Sequence, residues 1–193
     1  MSDCTHASSA FRSASRPTVA TWLARVALLW LIALHAALAG AADLASLPAE
    51  PLGRWFDVMA EKERPLTIEE AQGQLRQGGF TQGKEEVLKF GIGAPPVWLH
   101  LAIENEKRQT VERRLQIENS WLDRIDVYVV HDGKIVQRLR AGDAEATGQH
   151  PQVGLGYVFD LKLPPGHSNL MVRVATPDPL LVPVRLLDTE QVG

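Results

Sequence analysis

The 193-residue sequence holds a single cysteine, Cys4, which lies ahead of its only long apolar run. No disulfide can form within the chain, and no cysteine follows the run to carry a lipid. Catalytic and metal patterns are equally scarce. Beyond residue 42 the histidines are His100, His131, His150 and His167, with neither an HxH pair nor an HExxH helix to converge on zinc. Ser46, Ser120 and Ser168 are the serines of that segment, and none stands in G-x-S-x-G. Gly91-Ile92-Gly93 is followed by Pro95-Pro96 rather than by a helix, so it reads as a turn and not as a nucleotide loop. Asp123 and Asp126 could in principle serve glycoside hydrolysis, but beside a strand they read as surface charge. No nucleophile–base pair stands out, so the expectation is a non-enzymatic domain with no cofactor and no metal.

An excess of positive charge is also missing. The chain has 20 basic and 23 acidic residues, and 17 against 22 after residue 42. A nucleic-acid surface would be basic, so that class of partner is not expected.

What the sequence does have begins with a leader. Residues 1–25 are rich in Ser, Ala and Thr, with Arg12, Arg16 and Arg25 against one acid, Asp3. The run VALLWLIALHAALAGAA (Val26 to Ala42) follows. A basic n-region, a short apolar core and small residues at its end make a secretory signal peptide over 1–42. The run only just reaches the ~17 residues a spanning helix needs, so a retained anchor is the alternative. The expected location is periplasmic or otherwise extracytoplasmic. Residues 43–53 read as a linker, 54–187 as a domain and 188–193 as a tail.

The domain is organised around Asn119 to Asp143. Asp132-Gly133 is the dipeptide best suited to a two-residue type I′ turn, in which both central residues need positive φ. Before it Ile125, Val127 and Val129 alternate with Arg124, Asp126 and Tyr128, and after it Ile135 and Leu139 keep the period. One face of the hairpin is apolar and must be covered. Upstream, Arg54 to Met59 reads as a first strand anchored by Trp55. Thr67-Ile68-Glu69-Glu70 reads as a capping box opening a short helix that Gly78-Gly79 stops. Strand patterns follow at Val87 to Phe90, Val97 to Glu104, Val111 to Glu118, Tyr157 to Leu163, Leu170 to Val174 and Leu181 to Leu187. Pro183 in the last implies an edge or a bulge. Short strands with turns between them, and one helix near the start, predict an all-β fold. The expected architecture is a jelly-roll-like antiparallel β-sandwich of about eight strands.

Five runs in order carry a family resemblance: VWLHLAIEN (Val97 to Asn105), NSWLDRIDVYVV (Asn119 to Val130), AGD (Ala141 to Asp143), YVFDLKLPPG (Tyr157 to Gly166) and LMVRVATPDPLLVPVRL (Leu170 to Leu186). Together they resemble the type 2 extracellular domain of bacterial seven-transmembrane receptors with diverse intracellular signalling modules, over roughly Arg54 to Leu187. The resemblance implies a periplasmic sensory jelly roll that binds carbohydrate or another small molecule. It also implies seven membrane helices downstream and a cytoplasmic output, often a diguanylate cyclase and sometimes a histidine kinase. Where the family's Trp-Leu strand usually continues with arginine, this chain has His100. No apolar stretch of spanning length follows residue 42, so the receptor helices are expected from a continuing reading frame or a neighbouring gene. The alternative is a stand-alone secreted carbohydrate-binding or protein-docking module.

Strand alternation also proposes a site. Trp98 and His100 oppose Leu99 and Leu101, Asp126 and Tyr128 oppose Val127, and Met171 and Arg173 oppose Val172. If these strands share a sheet, Trp98, His100, Asp126, Tyr128 and Arg173 form one surface. A sugar or small anion is expected there, with Trp98 or Tyr128 stacking and Asp126 and Arg173 orienting it. The competing expectation is that the Thr67 helix covers this face.

Overall fold

The computed structural model describes residues 41–144 and 156–189. The expected leader up to residue 40, most of the 141–156 loop and the end of the tail lie outside the described residues. Two antiparallel β layers make a sandwich of jelly-roll type, with one α-helix laid on the outside of the larger layer.

The larger sheet is built on three long strands: β5 (Val97–Asn105), β7 (Arg124–His131) and β10 (Gly166–Ala175). β10 lies in the middle and pairs antiparallel with both neighbours. β2 (Asp57–Ala60) and β3 (Thr81–Gln82) extend the sheet beyond β5, and β8 (Lys134–Ala141) extends it beyond β7. The two-residue β1 (Ala42–Asp43) runs parallel to the far end of β5.

The facing layer contains β6 (Val111–Ile117) between β9 (Tyr157–Leu163) and β12 (Val184–Asp188). Beside it β4 (Leu88–Gly91) pairs with β11 (Leu180–Val182). Pro183 separates β11 from β12, because a proline has no N–H to continue either ladder. One extended run thus serves two small sheets: β11 holds β4, and β12 holds β6.

Period-two patterning places Leu99, Leu101, Ile103, Leu170, Val172, Val174, Ile125, Val127 and Val129 between the layers. They meet Leu115, Ile117, Phe159, Leu161, Leu163 and Leu186 from the facing strands. The open edge near β8 is closed by a side chain. The Gln137 amide donates to the Asp160 carbonyl at 2.8 Å, and its oxygen accepts from the Lys162 N–H at 2.9 Å, joining β8 to β9.

The hairpin turn has φ of 49° at Asp132 and 73° at Gly133, as a type I′ turn requires. Its second strand departs from a simple alternation. Val129 faces Gln137 but Val130 faces Ile135, so Val136 is an extra, half-exposed residue in a bulge. The bulge turns Ile135 to the helix side of the sheet, while Leu139 stays against the main core. Two other expectations change. Trp55 is 45% exposed in a 3-10 turn (Gly53–Trp55), and the anchor of that segment is the fully buried Phe56. The segment read as a linker is packed on the domain, with Leu44 and Leu52 buried.

The helix, α1 (Ile68–Arg76), opens as the capping box predicts. Thr67 Oγ1 accepts from the Glu70 N–H at 3.3 Å, and Glu70 Oε2 accepts from the Thr67 N–H at 2.9 Å. Arg64 also grips Glu70. Arg64 first, and the Thr67 N–H next, hold the Glu70 carboxyl down at about 2. Nine residues are too few to be helical alone, so α1 depends on its cap and on the sheet beneath it.

Candidate functional site

The outer face of the large sheet is an ordered grid. In one cross-strand row lie Met59, Trp98, Arg173, Asp126 and Arg140. In the next lie Asp57, His100, Met171, Tyr128 and Arg138. Trp98, His100, Asp126, Tyr128 and Arg173 therefore share one face of one sheet. That face is not open. Ile68 and Ala71 of α1, with Leu66, Leu75 and Phe80 around them, pack on Trp98, Tyr128, Val130 and Met171. None of the five residues is more than 8% exposed, and Trp98 has no exposure at all.

Burial of polar groups demands partners, and here they are internal. Glu61, which follows β2, reaches over the sheet and is itself buried. It takes Arg173 in a two-pronged grip, Nε to Oε1 and Nη2 to Oε2, each at 2.8 Å. Oε1 also accepts from the Trp98 indole N–H at 2.8 Å and from the Leu66 backbone N–H at 3.1 Å. Burial pushes the Glu61 carboxyl up, but hydrogen bonds from Arg173, Leu66 and Trp98 together bring it below its ordinary value. The carboxylate that Arg173 was expected to clamp is thus one of the chain's own. Trp98 lies roughly parallel to Tyr128, with ring centroids 6.0 Å apart.

His100 is equally committed. Its Nε2 lies 2.8 Å from Asn169 Oδ1, its Nδ1 lies 3.4 Å from Asp57 Oδ2, and Phe80 stands edge-on to its ring. Asp126 receives Arg124 Nε at 2.8 Å and Arg140 Nε at 2.7 Å. Burial raises its carboxyl, yet these two arginines hold it below the usual carboxylate range, so it is ionised at neutral pH.

Where α1 begins, the cover ends. A cleft of about 410 Å³ opens between the segment Pro65–Glu69 and the outer face of β7 and β8. Its floor and walls include Tyr128, Asp126, Arg173, Arg124 and Arg138. The Arg138 guanidinium sits over the Tyr128 ring at 5.1 Å from its centroid. Burial first, and Asp126 second, raise the Tyr128 phenol above its ordinary value, which keeps it a hydrogen-bond donor at neutral pH. Three of the five expected residues (Asp126, Tyr128 and Arg173) line this cleft, whereas Trp98 and His100 do not.

Other surfaces are less convergent. A larger hollow of about 590 Å³ lies by Leu44, Leu47, Arg113 and Leu187, where the described chain enters and leaves the sandwich. Its arginine is already paired, Arg113 Nη1 lying 2.5 Å from Asp188 Oδ1. Trp121 is 70% exposed on a loop. Asp123 accepts from Thr176 Oγ1 at 2.9 Å and serves as a loop tie. Among the described residues no group of three or more His, Cys, Asp or Glu is placed to hold a metal, and no helix is long and apolar enough to cross a membrane.

Sequence reasoning passed over Glu61, Arg124, Arg138 and Arg140. Glu61 lies in the polar run EKER, which reads as a solvated loop. The usable signal is alternation: Asp57 and Met59 face the helix side, and Glu61 continues that parity one step beyond the strand. Arg138 and Arg140 flank Leu139 in the same way.

No curated protein matches the chain. The family model described as 7TMR-DISM extracellular 2 matches residues 53–188, which run from the 3-10 turn to the end of β12 and hold every strand of the sandwich but the two-residue β1. The chain belongs to that family, the extracellular sensory domains of seven-transmembrane receptors.

Proposed function

We propose that this domain is the periplasmic ligand-sensing input of a bacterial seven-helix receptor. Its ligand is a carbohydrate or comparable small molecule, and it binds in the cleft between α1 and the β7–β8 face. The observation that carries the reading is the composition of that cleft, joined to the family match. The Tyr128 side chain, the Asp126 carboxylate with its two arginines, and the Arg138 guanidinium that lies over Tyr128 line one hollow. Of these groups the exposed Arg138 fork is the one able to donate to a ligand's oxygens, with Tyr128 fixing it from beneath. The domain acts without turnover, because nothing in the cleft forms a nucleophile–base pair: Asp126 is saturated by two arginines.

Signalling requires that the ligand bind one arrangement of the domain better than another. In this reading the ligand acts on the spacing of the two walls, the start of α1 and the sheet. The receptor helices that would read the change are proposed to belong to the complete receptor, and an export leader would bring the domain to the periplasm.

The test is a glycan and small-molecule screen on the exported domain, read by calorimetry and by product analysis. Binding without product, weakened at least tenfold by Tyr128→Ala, is the expected result. Turnover abolished by one carboxylate substitution would instead make the protein a carbohydrate-active enzyme. Binding untouched by Tyr128→Ala would move the site elsewhere.

A further inference from the structure

The cleft's charges point to a narrower ligand class. The chain beyond residue 42 has five more acidic than basic residues, so its average surface repels anions. The cleft lining departs from that balance, with three arginines beside two acids. Arg173 is neutralised by Glu61, and the single charge of Asp126 is divided between Arg124 and Arg140. Arg138 is left. It is exposed, it rests on the Tyr128 ring, and among the described residues it has no acidic partner. Glu69 is the one further acid on the lining.

An arginine resting over an aromatic ring is restrained by that contact, and its planar fork matches a carboxylate two bonds at a time. Resting on the reading of the cleft as the ligand site, we propose that the ligand is an acidic small molecule. Its carboxylate engages Arg138, while its body lies toward Tyr128 and the first turn of α1. A uronic acid satisfies both parts, with a compact hydroxylated body to lie in the cleft and a carboxylate to clamp.

The experiment follows the arginine Nε–H resonances of the whole domain by 15N NMR during titration with galacturonate, galactose and inorganic phosphate. Galacturonate should shift the Arg138 signal, and galactose at equal concentration should bind at least tenfold more weakly. Arg138→Gln, checked by thermal melting to be folded, should remove that preference; Arg138→Lys should restore part of it. Raising salt from 50 to 500 mM should weaken galacturonate several-fold. Equal binding of galactose and galacturonate in the cleft would overturn the acidic-ligand inference and leave the cleft reading intact. Phosphate shifting Arg138 while galacturonate does not would replace the carboxylate with a phosphoryl group and overturn the inference too. Galacturonate shifting only signals remote from Tyr128 and Arg138 would overturn both readings. No response to galacturonate at 20 mM would also count against the acidic ligand.

Discussion

Removing the Glu61 carboxylate should be the most damaging single change on the helix side of this domain. Glu61→Ala deletes the only carboxylate partner that the buried Arg173 guanidinium has among the described residues, and leaves the Trp98 indole N–H and the Leu66 N–H without acceptors. Breaking a buried ion pair by removing one partner costs about 3–5 kcal/mol, most of it from the charge left behind. Each orphaned neutral donor adds about 1–3 kcal/mol unless water reaches it. For a domain of this size 1 kcal/mol moves Tm by about 2–4 °C, so the melting point should fall by at least about 6 °C. The reasoning is specific to the stranded charge, which a second variant isolates. Glu61→Leu combined with Arg173→Met removes both ions and restores apolar volume, and should recover more than half of the loss. Differential scanning calorimetry of the wild type, Glu61→Leu, Arg173→Met and the double variant forms the double-mutant cycle, with Glu61→Ala measured beside it. A Glu61→Ala domain melting within about 2 °C of the wild type would refute the argument. So would a double variant less stable than Glu61→Ala.

Three further outcomes follow from the same geometry. Glu61, Asp126 and Glu70 all have folded-state values below their ordinary ones, so the stability they contribute is complete above about pH 4.5 and lost as pH falls through the folded values. Melting points should therefore drop steadily from about pH 4.5 towards pH 2, and a Tm that rises on acidification would contradict the pairing. Gly83→Ala should destabilise severely, because its Cβ would lie 2.0 Å from the Gly53 carbonyl oxygen; a soluble variant with unchanged urea midpoint would show that the 53–86 loops do not pack as described. Thr67→Ala removes one half of the capping box and should cost about 1 kcal/mol by urea titration, with faster hydrogen exchange confined to α1 and the segment before it.

Much of the sandwich was legible because period-two alternation and turn residues are local signals. Asp132-Gly133 set the hairpin, and Leu170, Val172 and Val174 faced the core where alternation put them. The misreadings have local causes as well. Alternation assumes an unbroken ladder, so the extra residue Val136 reversed the face of Ile135. Trp55 reads as the anchor of its segment, whereas the parity of β2 assigns that role to Phe56, two residues before the inward Val58. Pro183 implies an edge or a bulge within one strand, whereas it divides the run into β11 and β12, and alternation does not say that both halves will keep partners.

The site was half legible for a different reason. Alternation assigns a residue to a face, and it correctly put Trp98, His100, Asp126, Tyr128 and Arg173 together. It carries no information on what lies above that face, because cover is a tertiary relation between segments far apart in sequence. Here the cover is α1, reached from β2 through the turn that carries Glu61, which is 112 residues from Arg173. Aromatic and charged residues on an outer sheet face have two explanations, a ligand or another part of the chain, and both leave the same pattern. The distinguishing observable is the pairing of the charges. A guanidinium whose carboxylate is already present, as at Arg173, spends its fork on the fold. One without such a partner among the described residues, as at Arg138, keeps it for whatever enters the cleft.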